Sequence, residues 1–403
     1  MSHAVPTGRT GVTAAGGFRA AGITAGLKAS GKPDVALVVN DGPRFDAAGV
    51  FTSNRVFAAP VRWTRQLVST GPGVDGVPGG AIRAVVLNSG GANACTGPEG
   101  FDDTVATAEH VGSVLGVPAT EVAVCSTGLI GERLPMDLLL SGIGAAHGAL
   151  ADEGGLDAAT AIMTTDTVAK TAQVSAHGFT VGGMAKGAGM LAPGLATMLV
   201  VVTTDAVSDP ATLDAALRQA TRVTFDRLDS DGAMSTNDTV LLLASGASGV
   251  TPPVEDLTTA VTAVCADLAA QLLADAEGAT KEIAIEVVHA VTEDDAVAVG
   301  RSVARNNLVK TAFFGQDPNW GRILAAVGTV PETVVFDADL IDVSINGVQI
   351  CRAGGVGEDR SLVDLTGRKA HVLIDLHAGT ETATVTTNDL SHAYVHENSA
   401  YST

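Results

Sequence analysis

The feature that most constrains this chain is an abrupt change of character at residue 197. Before it, the run Lys186-Gly187-Ala188-Gly189-Met190-Leu191-Ala192-Pro193-Gly194-Leu195-Ala196 is rich in glycine and carries a proline. After it, Met198-Leu199-Val200-Val201-Val202 has no polar side chain. Glycine widens the accessible backbone and proline interrupts regular structure, so the first run reads as an irregular loop. The second reads as a buried strand. Thr197 stands where the loop enters the strand. Such a strand needs a large core around it. The sequence supplies one: 46% of its 403 residues are hydrophobic and only 17% are charged. Aromatic residues make up 3%, so that core is built from Ala, Val, Leu and Ile.

Other segments place strands and helices around that core. Residues 35–39 form an apolar run ending in the turn signal Asn40-Asp41-Gly42. Val85-Val86-Leu87 leads into Asn88-Ser89-Gly90-Gly91, a buried strand ending in a glycine-rich turn, and Ala123 to Cys125 leads as a strand into Ser126-Thr127-Gly128. Phe101, Val105, Ala108, Val111 and Leu115 share one helical face, with Gly116 as a stop. Ser208-Asp209-Pro210 opens a helix bearing Leu213, Leu217 and Ala220. A further helix after Pro252-Pro253 carries Leu257, Val261, Val264, Leu268 and Leu272 and should end near Glu277-Gly278. Near the C-terminus, Asn346-Gly347 between residues 342–345 and 348–351 predicts a hairpin with a type I′ turn. Strands and helices mix throughout, so the class is α/β or α+β. A smaller strand-rich part begins near residue 285, dividing the chain into 1–284 and 285–403.

Charge excludes several functions. The formal net charge of −20 repels nucleic-acid phosphates and anionic membranes. An anionic substrate therefore needs a local cation, and Lys186, eleven residues before Thr197, is a candidate. Residues 1–17 show no apolar signal core, and runs such as 199–202 are too short to span a bilayer. A cytoplasmic protein is expected, with Cys95, Cys125, Cys265 and Cys351 as buried, reduced thiols. Residues 26–33 nearly spell a P-loop, but Pro33 stands where a hydroxyl residue is needed, so this reads as a surface loop. His392 and His396 could share a helix face as metal ligands, yet no third ligand stands nearby. No metal and no cofactor is expected.

The junction suits one kind of chemistry. A threonine hydroxyl attacks well only when a base removes its proton. If the peptide bond between Ala196 and Thr197 is cut, the freed α-amine, with an ordinary pKa of about 7.7–8.0, can serve as that base. On pattern alone, however, a threonine at a strand start is more often an ordinary half-buried residue. The block Ser126-Thr127-Gly128 can aim backbone N–H groups and a hydroxyl at a developing oxyanion, or be a simple turn.

Seven blocks shift that balance: NSGGANACTG (88–97), CSTGLIGERLP (125–135), MTTDT (163–167), MAKGAGMLAPGLATML (184–199), STNDT (235–239), LVKTAFFGQDPNWGRI (308–323) and DLSHAYVHENSAYST (389–403). Through them the sequence resembles the ornithine acetyltransferase, or glutamate N-acetyltransferase, family of arginine biosynthesis. The resemblance implies a four-layer αββα sandwich of the N-terminal-nucleophile kind with a smaller C-terminal α/β domain. It implies self-cleavage into chains 1–196 and 197–403, two copies of each assembling as a heterotetramer. It implies that Thr197 takes an acetyl group from N-acetylornithine and passes it to glutamate, with acetyl-CoA as a donor in some members. By the same resemblance Thr127 and Gly128 form an oxyanion hole, and Thr164, Lys186, Glu277, Asn398 and Thr403 bind substrate. Two alternatives stay open: an amidohydrolase or aminopeptidase that lets water accept the acyl group, and a non-catalytic amino-acid-binding protein that is never cut.

Overall fold

The computed structural model describes residues 8–68, 80–190 and 198–400. Ala196, Thr197 and Thr403 lie outside the described residues, so the loop-to-strand junction is seen from Met198 onward. In chain order, β1 (Phe18–Ile23), β2 (Val35–Asn40) and β3 (Asp46–Phe51) precede α1 (Ala59–Val68). Next come β4 (Ala84–Ser89), α2 (Gly97–Leu115), β5 (Val122–Thr127), α3 (Met136–Gly148) and α4 (Gly155–Ala161). They are followed by β6 (Lys170–Ala176), β7 (Phe179–Lys186), β8 (Leu199–Thr204), α5 (Pro210–Val223), β9 (Thr239–Ala244) and α6 (Val254–Ala274). The last part holds β10 (Glu282–Ala290), α7 (Glu293–Ala304), α8 (Asn307–Phe314), α9 (Trp320–Val327), β11 (Asp342–Ile345), β12 (Val348–Arg352), β13 (Gly355–Val356), β14 (Lys369–Asp375), β15 (Glu381–Asn388) and α10 (His392–Ala400).

Three mixed sheets result, with strand orders β1-β2-β4-β5, β3-β9-β8-β7-β6 and β13-β12-β11-β14-β10-β15. Every residue of β7, β8 and β9 is buried, which explains the apolar runs 199–202 in β8 and 240–244 in β9. Side chains alternate across them. Met184, Leu199, Val201, Leu241 and Leu243 share a core with Leu37, Val85, Val86 and Leu87 of the first sheet, on which α2 and α3 also pack. Val181, Ala185, Val200, Val202, Val240 and Leu242 point the other way, into a core with α5 and α6. The six-stranded sheet buries one face only. Ile283, Ile285 and Val287 of β10 pack there with Val299 and Val303 of α7 and Phe313 of α8. That third core begins inside β10, so the residue-284/285 boundary expected from the sequence cuts through a strand.

Local signals explain the helix ends. Asp209 caps α5 through its carboxylate, which accepts from the N–H groups of Ala211 and Thr212. Gly116 stops α2 in the left-handed conformation at φ +69°. α6 is 21 residues long and contains an 18-residue stretch of mean hydropathy 1.5, so it is long and apolar enough to cross a membrane by those measures. This corrects the expectation that every apolar segment is too short. Packing gives the helix another role: Leu257, Val261, Val264, Leu268 and Leu272 are buried in a core, whereas Glu255 and Asp267 face outward.

Candidate active site

The site assembles where the C-terminal ends of two parallel neighbours, β4 and β5, meet the end of β7. β5 runs on through Ser126 and Thr127, further than its apolar core suggested, and Gly128 follows at φ +131°. A Cβ there would stand 2.6 Å from Gly91 N and 2.7 Å from the Gly90 carbonyl carbon, so only glycine lets these loops touch. Gly91 N–H donates to Thr127 O at 3.1 Å. The side chain of Asn237 clamps the pair from the side, with Nδ2 donating to Ala92 O at 2.6 Å and to Ser126 O at 2.8 Å.

Lys186 is the last residue of β7 and is wholly buried, 1% exposed. Its Nζ donates to Thr127 Oγ1 at 3.3 Å. Burial, aided by nearby Lys170, pushes this ammonium below its ordinary range, against the pull of Asp166, Asp238 and Glu277. Asp166 holds the cluster together. Its Oδ1 accepts from Lys170 Nζ and from Gly187 N–H, both at 2.6 Å, and its Oδ2 accepts from Thr164 N–H at 2.9 Å. Lys170 Nζ also pairs with Asp275 Oδ2 at 2.6 Å. Burial would raise the Asp166 carboxyl, but Lys186, Lys170 and the Gly187 N–H together hold it at about 2. One carboxylate thus fixes both the substrate-binding candidate Thr164 and the peptide after Lys186.

Glu277 does not end the helix as expected. α6 stops at Ala274, and Glu277 lies in the turn beyond, its N–H donating to Ala188 O at 2.9 Å. The helix-dipole argument for its role therefore falls away. Its Oε2 accepts from Asn398 Nδ2 of α10 at 2.9 Å. Gly189 leaves room for that carboxylate: a Cβ at residue 189 would stand 2.5 Å from Glu277 Oε2. Nearby, Asp231 accepts from Met190 N–H at 2.7 Å, and burial raises its carboxyl.

Six of the expected site residues, Thr127, Gly128, Thr164, Lys186, Glu277 and Asn398, line one cleft with a cavity of about 110 Å³. Thr165, Met190, Ser235, Thr236 and Asn237 complete much of its wall. Asp166, Lys170, Asp275 and Asn237 have no role in the sequence reading; Asp275 lies 105 residues from Lys170, and Asn237 lies 145 and 111 residues from the carbonyls it holds. Cys125, Cys265 and Cys351 are buried free thiols, and burial pushes Cys125 and Cys265 up to about 12. Cys95 corrects the expectation: it is exposed, on a turn at φ +57°. The near P-loop is already filled from within. N–H groups of Ala25, Gly26, Leu27 and Lys28 converge on the buried Asp34 carboxylate at 2.6–3.1 Å. Among the described residues, ligand atoms of His289, Asp375 and His377 lie within 4.8 Å of one another, far from the histidines weighed in the sequence. They are already engaged in hydrogen bonds: His289 with Asp375 at 2.8 Å and His377 with Asp342 at 3.0 Å.

Comparison with known proteins decides the family. Residues 19–403 match the ArgJ family. The chain is 64% identical to the arginine biosynthesis bifunctional protein ArgJ of Streptomyces coelicolor, over 97% of this chain and 99% of the relative. This chain belongs to the ArgJ family. It is also 61% identical to the ArgJ protein of Thermobifida fusca, over 97% of this chain and all of the relative, 100%. Among solved structures, the ornithine acetyltransferase of Mycobacterium tuberculosis, complexed with ornithine, is 56% identical over 47% of this chain and 96% of that chain, with a TM-score of 0.43.

Proposed function

We propose that this protein is a glutamate N-acetyltransferase of arginine biosynthesis that cuts itself between Ala196 and Thr197. The Thr197 hydroxyl then attacks the acetyl carbonyl of N-acetylornithine, and its freed α-amine takes the hydroxyl proton and hands it to the departing ornithine amine. Glutamate's amine attacks the resulting ester and leaves as N-acetylglutamate. Thr127 and Gly128 steady the oxyanion, while Thr164, Lys186, Glu277, Asn398 and Thr403 hold the amino-acid portions. Acetyl-CoA serves as a second donor. The observation that carries this reading is the buried Lys186 touching Thr127 at the foot of a cleft that Glu277 and Asn398 border. An anionic substrate can reach a desolvated cation there in an otherwise acidic protein.

The reading extends to architecture. The part that ends where β10 begins at Glu282 forms a four-layer αββα sandwich, a smaller C-terminal α/β domain follows, and chains 1–196 and 197–403 assemble as a cytoplasmic heterotetramer. The facing cores of the first two sheets support this.

Intact mass with and without N-acetylornithine tests the mechanism. Two fragments split before Thr197, the C-terminal one gaining an acetyl group when glutamate is withheld, is the expected result. Loss of the acetyl group to water at the same rate with or without glutamate would favour a hydrolase. A whole 40.4 kDa chain that binds but never gains mass would leave only a binding protein.

Two variants probe the walls of the cleft. Gly189→Ala displaces the Glu277 carboxylate, so the KM for N-acetylornithine should rise on the order of tenfold, about 1.4 kcal/mol. Steady-state kinetics at an unchanged KM would free Glu277 of a binding role. Deleting residues 398–403 removes the Asn398 contact to Glu277 together with Thr403, and is expected to abolish transfer while leaving cleavage intact. Normal turnover of acetylornithine by the truncated protein would remove the C-terminus from the site.

A further inference from the structure

At one end of the six-stranded sheet, the neighbouring strands β11, β14 and β10 bring four titratable side chains together. Asp375 ends β14, and its register partner Asp342 opens β11 alongside it. His289 follows Val288, the residue of β10 that pairs with Asp375. His377 lies two residues past Asp375, and its N–H donates to Asp375 Oδ1 at 3.0 Å. The backbone holds both histidines in an uncommon conformation, at φ +54° for His289 and +49° for His377. The loop that carries His377 is pinned to β10, because the N–H groups of Ala378 and Gly379 donate to His289 O at 2.8 and 2.7 Å. Gly379 permits this approach: a Cβ there would stand 2.3 Å from Ala290 O. The two imidazoles stack, with ring centres 6.2 Å apart and planes at 24°.

The protons on these rings indicate what the cluster is arranged to hold. Burial alone would raise the Asp342 carboxyl, but the Ala353 N–H and His377 hold it below the ordinary range. An ionised carboxylate only accepts, so the His377 Nε2 that stands 3.0 Å from Asp342 Oδ2 must carry the hydrogen. The neutral ring then has its lone pair at Nδ1, which stands 3.5 Å from Asp375 Oδ1, itself an acceptor. Asp375 also takes the hydrogen of His289 Nδ1 at 2.8 Å. Two imidazole nitrogens thus flank one carboxylate, and ligand atoms of the three residues lie within 4.8 Å of one another. Around a tetrahedral zinc ion, bond lengths of about 2.0–2.1 Å set ligand atoms about 3.3 Å apart.

We propose that His289, Asp375 and His377 bind a divalent transition-metal ion, zinc above all, at the surface of the C-terminal sheet. Both histidines coordinate through Nδ1 and Asp375 through a carboxylate oxygen. Water completes the site, since the side chains of His289 and His377 are 54% and 42% exposed. The hydrogen of His289 Nδ1 moves to Nε2 as the metal takes its place, so the ring stays neutral and no net proton is released. Asp342 orients His377, as a carboxylate commonly does for the far nitrogen of a ligating histidine. Imidazole donors select zinc and its neighbours over Mg²⁺ and Ca²⁺, which prefer oxygen ligands. The bound ion cross-links β10, β14 and the loop that follows β14.

The test uses the untagged full chain after dialysis against EDTA, titrated with Zn²⁺ by calorimetry and with Co²⁺ by visible absorption. One equivalent should bind, cobalt should show the absorption of a four-coordinate ion, and the unfolding midpoint should rise with Zn²⁺ but not with Mg²⁺. His289→Ala and His377→Ala should each abolish that equivalent while their metal-free unfolding midpoints stay near wild type. Asp342→Asn keeps an acceptor but loses the charge, and should weaken Zn²⁺ binding on the order of tenfold. His371→Ala removes another exposed histidine of the same sheet, one hydrogen-bonded to Glu286, and should bind as wild type does. Diethylpyrocarbonate labelling of the wild-type chain gives a reading independent of any variant: Zn²⁺ should shield His289 and His377 and leave His371 reactive. A wild-type chain that takes up no Zn²⁺ at millimolar concentration would overturn the proposal. So would an equivalent that survives both histidine substitutions, or labelling of His289 and His377 that Zn²⁺ leaves unchanged.

Discussion

Replacing Thr197 with alanine should leave a single uncut chain of 40.4 kDa and lower acetyl transfer by on the order of 10⁴-fold or more. On the proposed mechanism both losses have one cause, because the same hydroxyl acts as nucleophile in the cut and in each turnover. Thr197→Ser keeps the hydroxyl and should both cleave and turn over, more slowly. The pair distinguishes chemistry from packing, since serine and alanine both remove the threonine methyl. Intact mass and an ornithine-release assay on the three proteins read the outcome. An alanine variant that still releases ornithine would move the nucleophile elsewhere.

The second large effect is on stability. Asp166 is surrounded by Lys170, Lys186 and two backbone N–H groups, and both its carboxylate and Lys170 are wholly shielded from water. Asp166→Asn would leave a buried cation without its counter-charge, which costs about 3–5 kcal/mol when a buried pair is broken. Asp275 still holds Lys170, so the lower end of that range is expected. Denaturant unfolding should show a reduced midpoint with an unchanged slope. The pH dependence has a definite sign. Asp166 sits at about 2 against an ordinary 3.8, so it binds its proton less readily when folded. Its contribution, about 2 kcal/mol, is complete above the ordinary carboxylate range and disappears as pH falls from about 4 through about 2. The stability gap between wild type and Asp166→Asn should therefore narrow over that interval. A constant gap would mean that the carboxylate charge is not what stabilises the cluster.

Local punctuation made much of the fold legible. Gly116, Asp209-Pro210 and Pro252-Pro253 each mark a helix end by a mechanism acting within a few residues, and α2, α5 and α6 begin or end there. The hairpin of β11 and β12 turns on Asn346 and Gly347 at φ +48° and +86°, the two left-handed residues that a type I′ turn requires. Long-range pairing was not legible in this way. Lys170 pairs with Asp166 only four residues away, but it meets its second partner, Asp275, 105 residues along the chain, and no spacing rule links those two. The end of α6 was placed too late because the turn after Ala274 carries no strong stop signal before Gly278. Glu277 nevertheless reaches the cleft, by way of its backbone bond to Ala188 rather than as a helix end. Asp238 lies in the block STNDT, but nothing in those letters distinguishes a buried acid from a solvated one.

The strand order of the central sheet has a consequence for the life of the molecule. β3, β7 and β6 precede residue 197 and β9 and β8 follow it, yet the sheet runs β3-β9-β8-β7-β6. A chain cut before Thr197 thus becomes two polypeptides interleaved like clasped fingers, one contributing the middle of a ladder and the other both of its edges. The uncut precursor folds as a single molecule, at a rate indifferent to dilution. Once severed and then denatured, the halves must find one another again, so recovery becomes second-order and fades as the solution is thinned. Maturation would then work as a ratchet: the enzyme is assembled once, as a whole, and is afterwards preserved by slow opening rather than by ready reassembly.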